Sequence, residues 1–97
     1  MNIDEFRQTL AGESAPPDGL HDPLLALWWD AKGDWHRAHE VCQRGETSSH
    51  AWVHAYLHRK EGDEGNAGYW YARAGRKPPG DIPLEEEWAS LVKTFLE

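Results

Sequence analysis

The sequence predicts an all-α domain of roughly six helices, and three observations carry that prediction. Apolar residues recur at helical spacing on both sides of a Gly33-Asp34 break. The same pattern returns 29 residues later, and no segment reads as a strand. The stretch Leu24 to Gln43, LLALWWDAKGDWHRAHEVCQ, is the piece the chain is organised around. Its first half carries apolar residues at 24, 27, 28 and 31, with Leu25 and Trp29 as a second stripe. A helix apolar on more than one side packs against several neighbours and belongs at the centre of a small domain.

The break in that stretch is well signed. Gly33 suits a left-handed helix end, and the Asp34 carboxylate can accept from the first free amides of the next helix. Ala26, Gly33, Asp34 and Ala38 recur as Ala55, Gly62, Asp63 and Ala67. Turn residues and small residues repeating in register predict stacked helical hairpins. The alanines let two backbones approach inside each hairpin, while bulky side chains fill the space between hairpins.

These positions resemble the tetratricopeptide (TPR) family, whose repeat reads W-x2-L-G-x2-Y, then A-x3-F, then P. Leu25, Ala26 and Trp29 match the first part, and Ala38-x3-Cys42 matches the second. In the next copy Ala55, Ala67-x3-Tyr71, Ala74 and Pro79 fall in register. His54 and His58 depart from the pattern, standing where Leu and Tyr are usual. The resemblance spans about residues 22 to 79. It implies two TPR-like antiparallel hairpins, a scaffold that binds peptides or protein surfaces, and a concave side lined by the first helix of each hairpin. Two hairpins are fewer than the roughly three repeats such stacks need, so the terminal segments must supply the missing surfaces.

In chain order, residues 1–10 form an N-terminal helix, with Ile3, Phe6 and Leu10 on one face. Residues 11–21 are a loop, because paired prolines and Asp-Gly forbid regular structure. Asp22 caps the central helix, with Pro23 at its first turn. Residues 22–79 hold the two hairpins. Ser48 or Ser49 caps a helix running to about Glu61, which carries Trp52 and Tyr56 on one side and Val53 and Leu57 on another. The helix after Asp63 buries Ala67, Trp70, Tyr71 and Ala74. Beyond the rigid Lys77-Pro78-Pro79-Gly80 connector, residues 81–97 form a C-terminal helix. Its stripe is Leu84, Trp88, Leu91, Val92 and Phe95, and its acids Glu85 to Glu87 sit where the helix dipole favours them. This helix covers an open end of the stack.

Ninety-seven residues make one domain with a modest core, and six tryptophans contribute heavily to it. A net charge of −7 without a basic run argues against a nucleic-acid partner. Cys42 is alone, so neither an intrachain disulfide nor a cysteine zinc motif is available. The first residues do not read as a signal peptide, and no apolar run is long enough to span a membrane. A soluble, cytoplasmic protein is the expectation, without membrane partners.

Three sets of residues bear on function. His50, His54 and His58 recur at one-turn spacing, and His36 and His39 lie on the preceding helix. Such rings can share zinc or another divalent transition metal, or else remain neutral, hydrogen-bonded core histidines. The glycine-rich run Gly62 to Gly68 reads as a turn, since two acids would repel a phosphate. Cys42 reads as a small apolar residue rather than a reactive thiol. Trp52, Tyr56 and Arg59 share a face, and residues of these types dominate binding hot spots. With Leu27 and Asp30 of the first hairpin they predict a groove for an acidic or C-terminal peptide, provided that the aromatics are not core. No catalytic motif is present, so the expectation is a protein-binding module without a cofactor. The alternatives are a histidine metal protein and a self-associating subunit, a homo-oligomer through the open stack.

Overall fold

Gly33 and Gly62 both hold φ at +86°, a conformation that a Cβ would oppose. The turns around them match bond for bond in the computed structural model, which describes residues 1–97. Gly33 N–H donates to Asp30 O and Asp34 N–H to Trp29 O; Gly62 N–H donates to Arg59 O and Asp63 N–H to His58 O. Asp34 then accepts from the Arg37 amide and Asp63 from the Asn66 amide, each at 3.1 Å. The repeat in the sequence is therefore a repeat of backbone geometry.

Six helices and no strands result: α1 (Ile3–Gly12), α2 (Asp22–Ala31), α3 (Trp35–Cys42), α4 (Ser48–Lys60), α5 (Glu64–Arg73) and α6 (Leu84–Leu96). Helices α2 and α3 form one antiparallel hairpin and α4 and α5 the other, with α1 and α6 flanking them. The boundaries of four helices differ from the sequence reading. Asn2 and Glu5 form a reciprocal capping box, so α1 starts at Ile3 and extends to Gly12. Thr47, not a serine, caps α4 by accepting from the His50 amide. Asp22 lies inside α2, whose cap is His21, and Pro83 delays α6 until Leu84.

One apolar cluster of 18 residues draws on all six helices. Ala26, Ala38, Ala55 and Ala67 are all buried, as close helix approach requires. Tryptophan edges stitch the layers together through hydrogen bonds. Trp28 Nε1 donates to Thr9 Oγ1 at 3.0 Å, Trp35 Nε1 to Leu57 O at 2.9 Å, and Trp88 Nε1 to Leu27 O at 3.1 Å. The last of these places α6 directly over α2.

That placement corrects the expectation of an open groove. Leu27 is 0% exposed, Asp30 3%, Trp52 9% and Tyr56 2%. Helix α6 packs on α1, α2 and α4, and Phe95 lies edge-on to Trp52 at 5.6 Å. The polar members of the face are spent inside the protein. Asp30 takes Tyr56 Oη at 3.0 Å and Lys60 Nζ at 2.9 Å. Arg59 donates to Glu87 at 2.9 Å and to the Ile82 carbonyl, while Tyr71 Oη donates to the other Glu87 oxygen at 2.6 Å. No helix of the chain is long and apolar enough to cross a membrane.

Candidate metal centre

The junction between the hairpins collects histidines. Helical spacing puts His54 and His58 one turn apart on the buried face of α4, and α3 crosses that face with His39 towards them. His39 Nε2 and His54 Nε2 stand 2.9 Å apart. One nitrogen from each of His39, His54 and His58 lies within 4.8 Å of the other two. A tetrahedral zinc with Zn–N bonds of about 2.0–2.1 Å needs nitrogens roughly 3.4 Å apart. The 2.9 Å between His39 and His54 and the 4.8 Å limit on the whole triplet bracket that spacing.

Aromatic walls hold two of the rings. His39 stacks on Trp35 at 4.8 Å between centroids, and His54 stacks on Trp70 of α5 at 3.9 Å. The third ring is oriented by charge. His58 Nδ1 donates to Glu61 Oε1 at 2.6 Å, which fixes its tautomer and leaves Nε2 as its uncommitted nitrogen. An Asp63 oxygen also lies within 4.8 Å of a His58 nitrogen and a Glu61 oxygen.

The electrostatics keep His39 and His54 neutral. Burial lowers the His54 pKa to about 4, helped by the neighbouring His39 and His58. His39 is lowered by burial first and by His58 second. Neutral imidazole is the form that ligates a metal. Between His39 and His54 one ring donates and the other accepts, so the contact holds a single shared proton.

The other predicted histidines lie elsewhere. His50, one turn before His54, is drawn away by Asp22 at 3.1 Å and Thr47 Oγ1 at 2.6 Å. Gly45 lies so close to the His50 ring that an added Cβ would fall 2.5 Å from it. His36 is exposed, edge-on to Trp35. The five-histidine set therefore reduces to three, because His50 finds a nearer carboxylate and His36 points off the helix interface. Cys42 is buried near the cluster, but burial pushes its thiol up to about 12 and its Sγ donates to His39 O. It is a packing residue. Sequence reasoning missed the flanking roles of Trp35 and Trp70; their only signal was tryptophan within a turn of each ligand along α3 and on the facing α5.

No protein-family model, curated protein or solved structure matches this chain.

Proposed function

We propose that this chain is a helical-repeat module that binds one divalent transition ion, zinc being the best fit, through His39, His54 and His58. The observation that carries the reading is the meeting of three imidazoles, two buried and one half-buried, from two hairpins at one point. All-nitrogen donor sets suit zinc, nickel and copper rather than magnesium or calcium. Three protein ligands leave a position for solvent or an outside ligand, the arrangement of an open zinc site. Bound there, the ion would clamp the first hairpin to the second. The test is calorimetry on chelator-stripped, tag-free protein with zinc and with nickel. A one-site isotherm lost in His54→Ala and kept in His36→Ala supports the reading; no isotherm in the parent protein sinks it.

A second reading keeps the TPR resemblance and the protein-interaction role, on a different surface. It is supported by the exposed rim of α5. Exposed Arg73 lies over the exposed Tyr69 ring at 5.8 Å and over half-buried Trp70 at 5.4 Å. Arg, Tyr and Trp on one accessible strip are the residue types that anchor protein partners. Loss of a cross-linked partner in a Tyr69→Ala, Arg73→Ala variant is the matching test.

A further inference from the structure

A cavity of about 370 Å³ opens where α1, α2, α4 and α6 meet, away from the histidines. Leu10, Ala31, Leu84 and Trp88 make its apolar wall. Buried Asp30 and Tyr56 line it, with Lys60 beside them and Arg7 and Glu85 completing the lining. The volume falls within the range of small-ligand pockets, in which apolar walls surround a few convergent polar groups.

The polar groups select the ligand. Asp30 offers little to an incoming cation, because Lys60 already pairs its charge through one oxygen and Tyr56 donates to the other. Arg7 is the opposite case. No carboxylate lies within ion-pairing distance of it, and its guanidinium sits 5.7 Å from the Trp88 ring centroid. A guanidinium brings five donors in a planar fork, and Lys60 keeps two of its three after bonding Asp30. Glu85, exposed and unpaired, is the one anion in the lining not already neutralised. The lining thus offers free donors beside an aromatic and aliphatic wall, with the deepest carboxylate already satisfied.

We infer that this pocket binds a small monocarboxylate with an apolar or aromatic body, its carboxylate on Arg7 and its body against Leu84 and Trp88. A bidentate guanidinium–carboxylate pair supplies the orientation, and burial of the body supplies the affinity. The inference needs no metal and stands apart from the histidine site.

Three probes of equal size test it on the chelator-stripped full chain: 4-phenylbutyrate, its neutral amide and 4-phenylbutylamine. The readout is the indole N–H resonance of Trp88 in a nuclear magnetic resonance titration. The carboxylate should shift that resonance saturably, with the amide weaker by about tenfold or more. Arg7→Gln, which breaks no ion pair, should weaken the carboxylate to the level of the amide. Lys93→Gln, exposed on α6, should leave it unchanged. Equal binding of acid and amide, preference for the amine, no saturable shift, or full affinity in Arg7→Gln would each overturn the assignment.

Discussion

His39 Nε2 and His54 Nε2 face each other at 2.9 Å across the α3–α4 junction. Two imidazoles at that distance, one buried and one half-buried, cannot both be cations, which gives the metal-free protein a pH response. In the unfolded chain a histidine protonates near pH 6.5, whereas folded His54 does so only at about 4. Below pH 6.5 the unfolded chain binds the extra proton, so stability is fully present above that value and falls as pH drops towards 4. The loss between pH 7 and pH 5 should be on the order of 1–2 kcal/mol. Urea melts of stripped protein at the two pH values check this, and His54→Gln should flatten the difference.

Arg59 and Glu87 give a prediction about stability. Their pair is almost enclosed, and Tyr71 completes the carboxylate's bonding. Arg59→Ala leaves Glu87 buried beside a phenol alone, and the cost should be about 3 kcal/mol. Chemical denaturation measures it. A change under about 0.5 kcal/mol, the range of surface substitutions, would mean the pair is solvated and α6 is loosely held.

Helix α6 is predicted to be indispensable. Trp88, Leu91 and Val92 are buried on it, and each contributes roughly 1.5–3 kcal/mol as an upper figure. Together they rival the 5–15 kcal/mol typical of a whole domain. A fragment ending at Gly80 should expose Phe6, Leu27 and Tyr56 and lose its cooperative thermal transition. A sharp calorimetric melt in that fragment would contradict the assignment of α6 to the core.

The two hairpin turns should respond alike. Gly33→Ala and Gly62→Ala each force a Cβ into positive φ with no neighbouring atom to blame, so each should cost about 1–2 kcal/mol. Clearly unequal losses would show that the turns are not equivalent.

Much of this architecture was legible because turn chemistry is local. Gly-Asp followed by Ala, twice at the same interval, is enough to set two hairpins, and the bond pattern follows from those residues. Burial was harder to read. The spacing of Trp52, Tyr56 and Arg59 puts them on one face, but periodicity does not say which helix covers that face. Trp88, 36 residues after Trp52, answers it through a bond to the Leu27 carbonyl that no local signal announces. The histidines show the same division. One-turn spacing joins His54 to His58 and equally to His50, and only the crossing of α3 and the reach of Asp22 select His39 over His50.

The central claim is that His39, His54 and His58 share one ion, and anomalous diffraction at the zinc absorption edge tests it most directly. Crystals grown with equimolar zinc should give one strong peak about 2.0–2.1 Å from a nitrogen of each of the three rings. Glu61 should keep its bond to His58, and the helices should not move. A map without that peak, or with zinc held only by His36 or His50 at the surface, would contradict the account.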